Sequence, residues 1–265
     1  NKEKRDLALI VSECRAAAAA VYTTNLVKGA PIKVTKEHLA DGYAQAMICN
    51  SGNANTCNAD GIEIAEGMSR LVEEALHIPA EDVIVASTGV IGQPLSLAPM
   101  EAGIEKLAAG LAAGQEGCDY AAEAIMTTDT IKKEAACTFT VGAKTCTIGG
   151  IAKGSGMIHP NMATMLVFLT TDAANIQDSF HMMSVDGDTS TNDMLSIMAN
   201  GRAGNPEITA EGADFEAFQE ALAAVTKSLC RSIAADGEGA TKLIECAVHG
   251  AADQQTARIA AKSVI

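Results

Sequence analysis

Short apolar runs alternate with helical repeats along this chain, the pattern of a mixed α/β protein. Residues 7–11, Leu-Ala-Leu-Ile-Val, read as a first strand, residues 20–24 as a second and residues 44–49 as a third. The third runs into Asn50-Ser51-Gly52-Asn53-Ala54-Asn55, a polar turn whose Asn and Gly residues tolerate positive φ and can expose several backbone N–H groups together. Ile64, Met68, Leu71, Val72 and Ala75 then repeat on one helical face, with Asp60 and Glu63 placed as an N-terminal capping pair. Pro79 stops that helix, and residues 83–87 form a buried strand that delivers the chain into Thr88-Gly89-Val90-Ile91-Gly92.

Pro99 opens a helix carrying Met100, Ile104, Leu107 and Leu111, with Gly114 at its end; Asp119 caps a shorter one through residue 126. Two alternating segments, 135–141 and 145–151, flank a hairpin turn at 142–144. The second leads into a Gly-rich loop, Gly154-Ser155-Gly156-Met157-Ile158-His159-Pro160, that ends abruptly where Met165-Leu166-Val167-Phe168-Leu169 reads as a buried strand. A turn at 172–175 and a helix with Ile176, Phe180 and Met183 follow. The polar run Asp186-Gly187-Asp188-Thr189-Ser190-Thr191-Asn192-Asp193 then caps a helix over residues 192–198. Calcium is rejected for this run, because Thr191 and Ile197 stand where the calcium loop needs Gly and Glu. Phe215, Phe218, Leu222, Val225, Leu229 and Ile233 mark the clearest helix, a turn at 236–242 precedes a strand over 243–248, and residues 251–265 read as helical. That last helix stops at Ile265 without a closing residue, so the 265 residues are expected to be part of a longer gene product.

Composition narrows the function. An apolar content of 48% over 265 residues fills a sizeable core, and 33 acidic against 19 basic residues disfavour nucleic acid and anionic membranes as partners. Residues 16–21 are too short to span a bilayer, and a cytoplasmic protein is expected. The eight cysteines show no C-x-x-C spacing and read as reduced core thiols, and the dispersed histidines have no zinc spacing.

The chemistry gathers where loop becomes strand. Thr164 is a β-branched hydroxyl at the start of a rigid strand, a position that fixes its direction. It is also where a strand could open on a threonine for structural reasons alone. A hydroxyl needs a base, and one solution is self-cleavage between Ala163 and Thr164, which gives Thr164 an α-amine titrating near roughly pH 8 instead of the roughly 10.4 of lysine. Thr88 and Gly89, in a turn after a strand, offer a hydroxyl and a backbone N–H that suit an oxyanion hole. Lys153 reads either as a surface charge or as the cation for a substrate carboxylate. Glu238 is flanked by Gly237 and Gly239, which leave it unobstructed; the spacing is not that of a phosphate loop.

Six blocks taken together resemble the ornithine acetyltransferase (glutamate N-acetyltransferase) family of arginine biosynthesis. They are Asn50 to Asn55, Ser87-Thr88-Gly89-Val90-Ile91-Gly92, Ala124-Ile125-Met126-Thr127-Thr128-Asp129-Thr130, Lys153-Gly154-Ser155-Gly156-Met157-Ile158 with Ala163-Thr164-Met165-Leu166, the 186–193 run, and Asp236-Gly237-Glu238-Gly239-Ala240-Thr241-Lys242. The resemblance implies an N-terminal-nucleophile-type enzyme that cuts itself before Thr164. It divides the chain into an α part, residues 1–163, and the start of a β part, residues 164–265, which stay associated, usually as an α2β2 heterotetramer. It further implies a ping-pong transfer of acetyl from N-acetylornithine to glutamate through acetyl-Thr164, with acetyl-CoA a further donor in some members and no metal or prosthetic group. Thr88 and Gly89 match the oxyanion hole, and Thr127, Lys153, Thr164 and Glu238 the substrate contacts. Charge matching adds that Lys153 faces the substrate α-carboxylate and Glu238 the δ-ammonium of ornithine. A related self-processing amidohydrolase or aminopeptidase is the alternative, one that releases its acyl group to water. His159 stands where a small residue is expected.

Overall fold

The computed structural model describes residues 4–155, 165–174 and 190–263. Seven strands form one sheet in the order β3-β2-β1-β7-β6-β5-β4. They are β1 (Leu7–Tyr22), β2 (Tyr43–Asn50), β3 (Val83–Ser87), β4 (Lys133–Val141), β5 (Lys144–Lys153), β6 (Leu166–Thr171) and β7 (Met194–Ala199). The described helices are α1 (Ala30–His38), α2 (Gly61–Leu76), α3 (Ala98–Ala109), α4 (Gln115–Ile125), α5 (Ala213–Ala235) and α6 (Gln254–Lys262).

The first two expected strands are one. β1 is 16 residues long, pairing first with β2 and then with β7, and its register shifts between Val11 and Ala16. Its Ala-rich middle has helical propensity and no alternation to announce a strand, but neighbours on both sides supply the ladder that propensity does not. Ala16 and Ala18 are small enough to let α4 pack close, and both are buried. At the irregularity the sheet turns, and the β3-β2 half faces the β7-β6-β5 half across a shared core that includes Ala8, Met47, Ile84, Phe168 and Met198. Behind the first half, α1, α2 and α3 cover Ala46, Ile48, Val83 and Val85. Behind the second, the long helix α5 packs Phe218, Val225 and Leu229 against β4 and β5.

Several local expectations are corrected. Residues 194–199 are the strand β7, not a helix: six consecutive buried residues without polar alternation satisfy a doubly covered strand, and the run is short for a helix. Asp60 makes no side-chain cap on α2. Gly110 closes α3, and Gly114 precedes α4, whose interior holds Asp119 paired with Lys132 at 2.7 Å. No strand forms over residues 243–248, where six residues of strand-like composition stay exposed or half-buried and pair with no strand among the described residues. All eight cysteines are free, but only Cys49 and Cys146 are buried, while Cys57 and Cys230 are exposed. The helix expected around Ile176, Phe180 and Met183 lies outside the described residues.

Candidate active site

The two half-sheets bring their open ends together. β2 and β3 run parallel and finish at the pair Asn50 and Ser87, after which the Thr88 amide still donates to the Asn50 carbonyl at 2.8 Å. In the other half, Lys153, Leu166, Met194 and Tyr22 lie in one row across β5, β6, β7 and β1. Asn192 joins the halves: its Nδ2 donates to the carbonyls of Ala54 (2.6 Å) and Ser87 (2.8 Å), and its Oδ1 accepts from the Thr56 hydroxyl at 2.6 Å.

Thr88 and Lys153, read separately from the sequence, meet here. Both are buried, and Lys153 Nζ lies 3.4 Å from Thr88 Oγ1. The surface-charge reading of Lys153 is thereby removed. Burial lowers its pKa, while Asp129, 4.0 Å away, works in the opposite direction. Gly89 has φ +120, and a Cβ there would come within 3.0 Å of the Gly52 carbonyl and 3.1 Å of the Asn53 amide. Only glycine suits the place on both counts. Among the described residues Gly89 N donates no hydrogen bond, which leaves it available as a donor.

Thr127 is half-buried, and its amide donates to Asp129 Oδ2 at 3.0 Å. Glu238 is exposed, in a turn whose backbone is fixed by donation from its amide to the Ser155 carbonyl at 2.6 Å. Ala163, Thr164 and His159 lie outside the described residues. The residue after Thr164 is described: the Met165 amide donates to Asp193 Oδ1 at 2.7 Å.

Sequence reasoning overlooked the charges beneath these residues. Lys133 is fully buried between Asp129 (2.7 Å) and Asp236 (2.6 Å). Burial raises the pKa of Asp236, but the hydrogen bonds from Lys133 and Thr130 outweigh it and hold the carboxyl at about 2. Asp129 is lowered in the same way, with Lys133 and the amides of Gly154 and Thr127 overcoming burial. Asp129 and Lys133 stand four apart, a spacing legible as a pair; nothing in the sequence says that Asp236 completes it.

Compared with known proteins, residues 1–265 match the ArgJ family along their whole length. The chain belongs to the ArgJ family. It is 54% identical to the arginine biosynthesis bifunctional protein ArgJ of Symbiobacterium thermophilum over 98% of this chain and 68% of that protein. Against the protein of that name from Caldanaerobacter subterraneus, identity is 49% over 100% of this chain and 68% of the relative. The crystal structure of ArgJ from Bacillus halodurans is similar at 46% identity and TM-score 0.57, over 62% of this chain and 85% of that one. Ornithine acetyltransferase of Mycobacterium tuberculosis, solved with ornithine, matches at 35% identity and TM-score 0.51, over 58% of this chain and 82% of that one. A β-aminopeptidase from Burkholderia shares the fold alone, at 13% identity and TM-score 0.50 over 88% of this chain and 80% of that one. The expected mixed α/β, ornithine acetyltransferase-like fold therefore holds for this member of the ArgJ family. Among its described residues, no helix is long and apolar enough to cross a membrane.

Proposed function

We propose that this chain carries the acetyltransferase site of an arginine-biosynthesis enzyme, moving acetyl from N-acetyl-L-ornithine to L-glutamate through an acetyl-Thr164 intermediate. The observation that carries the reading is the meeting of Thr88 and Lys153 at the convergent ends of the two half-sheets, with Gly89 beside Thr88 and Lys153 in register with Leu166, two residues after Thr164 in sequence. In the proposed reaction, the Thr164 hydroxyl attacks the acetyl carbonyl, and its own α-amine takes the proton. The oxyanion that forms sits against the Thr88 hydroxyl and the Gly89 amide. Ornithine leaves with a proton; glutamate's amine then attacks the ester and carries the acetyl group away. The proposed step requires no metal or prosthetic group, and acetyl-CoA is an alternative donor.

The α-amine requires cleavage between Ala163 and Thr164, which divides the chain into residues 1–163 and 164–265. Association of the two parts as α2β2 in the cytosol is part of the same proposal.

The test is a transfer assay with acetylornithine, with and without glutamate, and with acetyl-CoA as a second donor. Formation of N-acetylglutamate only when glutamate is present supports the reading. Release of acetate at the same rate without glutamate makes the protein a hydrolase and overturns it.

A further inference from the structure

We propose that Asp129, pinned by Lys133 and Asp236, is a positioning residue that sets Thr127, Lys153 and the Glu238 turn as one unit. The inference rests on the substrate contacts proposed above and adds a residue that none of them includes.

Every lone pair of the Asp129 carboxylate faces something that bears on the site. Its side chain is fully buried. Oδ1 accepts from Lys133 Nζ and from the Gly154 amide, both at 2.7 Å. Oδ2 accepts from the Thr127 amide at 3.0 Å and faces Lys153 Nζ at 4.0 Å. One carboxylate thus fixes the backbone of one proposed substrate contact and of the turn by which the chain leaves β5, and sets its charge opposite the ammonium of another.

The third contact is tied in through Lys133. Its Nζ donates to Asp129 Oδ1, to Asp236 Oδ2 and to the Ile131 carbonyl at 3.3 Å, so all three of its protons are used. Asp236 also accepts from the amide and hydroxyl of Thr130. Its own carbonyl takes the Ser155 hydroxyl at 2.7 Å, and the Ser155 carbonyl takes the Glu238 amide. Two buried ammonium groups and two buried carboxylates balance, and removing a single member leaves a charge without its partner.

Lys153 reports on this arrangement. The groups that act on its charge are Asp129, Cys49, Lys133 and Asp193, and of the favourable ones Asp129 is the largest. The Cys49 thiol, pushed up to about 12 by burial, is uncharged at ordinary pH. Without the Asp129 carboxylate, burial of Lys153 is opposed mainly by Asp193.

The test is Asp129→Asn, which keeps the shape and removes the charge. The expected result is a KM for both acetylornithine and glutamate raised about tenfold with kcat little changed, since the contacts bind substrate in both half-reactions. Lys153, followed by NMR with 13Cε-labelled lysine, should lose its proton at a lower pH than in the unmodified protein. If Asp129→Asn does not fold, the double variant Asp129→Asn with Lys133→Met removes one charge of each sign, and its Lys153 titration is compared with that of Lys133→Met alone, because Lys133 itself depresses Lys153. A folded variant in which Lys153 titrates as before overturns the inference, whatever its KM. The titration needs no substrate, so absence of transfer in the unmodified protein overturns the proposed function while still deciding this point.

Discussion

Asp193 holds the Met165 amide with one carboxylate oxygen, at 2.7 Å, and leaves the other oxygen buried with no hydrogen-bond partner among the described residues. The Ser190 hydroxyl and amide lie near enough to favour its charge, without hydrogen-bonding the free oxygen. Burial is the larger influence and pushes the carboxyl up to about 7. A carboxyl raised in the folded state costs stability above its ordinary pKa, and the cost grows until the pH passes the raised value. Asp193→Asn should therefore stabilise the protein at pH 8, on the order of 2 kcal/mol, and hardly at pH 4. Urea unfolding at the two pH values measures the difference; equal effects at both would show that the charge costs nothing.

Asp236 has the opposite sign. Its folded pKa is depressed to about 2, so its contribution is complete above the ordinary carboxylate value and disappears as the pH falls toward 2. The contribution of this group should be level from neutrality to about pH 5 and then drop, by on the order of 2 kcal/mol, with Asp129 adding to the loss. In Asp236→Asn the acid slope should be shallower, as followed by thermal melting across pH 2–6.

Thr164→Ala should leave a single chain of full length under denaturing mass spectrometry and abolish acetyl transfer. Activity in this variant, or an active unmodified preparation that is never severed before residue 164, excludes the proposed nucleophile.

Thr88→Ala removes one proposed oxyanion donor, and kcat should fall about 10²- to 10³-fold with the melting temperature nearly unchanged. Gly89→Ala should lower kcat as well and also destabilise, because its Cβ meets the Gly52 carbonyl and the φ of +120 is strained for alanine. A Thr88→Ala enzyme with unchanged kcat removes that hydroxyl from the mechanism.

Lys153→Met should raise KM for both substrates, since each presents an α-carboxylate. It also removes one of the two ammonium groups that balance Asp129 and Asp236, so some loss of stability accompanies it. An unchanged KM excludes a substrate-binding role for the ammonium.

Local pattern carried most of the fold. The strands at 44–49, 83–87 and 166–169, the β4-β5 hairpin and the helices α2 and α5 follow from periodicity and turn chemistry, because each is a run whose buried face is visible in its own residues. β1 and β7 are different. An alanine-rich strand and a six-residue apolar run become strands through their neighbours, and the neighbours are distant in sequence. The site divides likewise. Thr88, Gly89 and Lys153 stand at strand ends, where a sequence pattern marks a change of structure. Asp129, Lys133 and Asp236 act through one another across more than a hundred residues, and no local spacing reveals a partner that far away. The six motif blocks pointed to the ArgJ family, and the whole-chain match bears that out.

The order of the strands has a consequence for the proposed cut. β6 and β7 follow residue 164, and they lie between β1 and β5, which precede it. Their outer ladders therefore join them to the other fragment on either side: β7 to β1 and β6 to β5. The proposed break before residue 164 leaves both of these ladders intact, so they would hold the two pieces together like a plank nailed along both edges. A fragment released before assembly would have to insert its two strands between β1 and β5, so the proposed cut is expected after the sheet has formed. The proposed cut would add only the mass of one water to the native assembly, and the two fragments would come apart only once the protein is denatured.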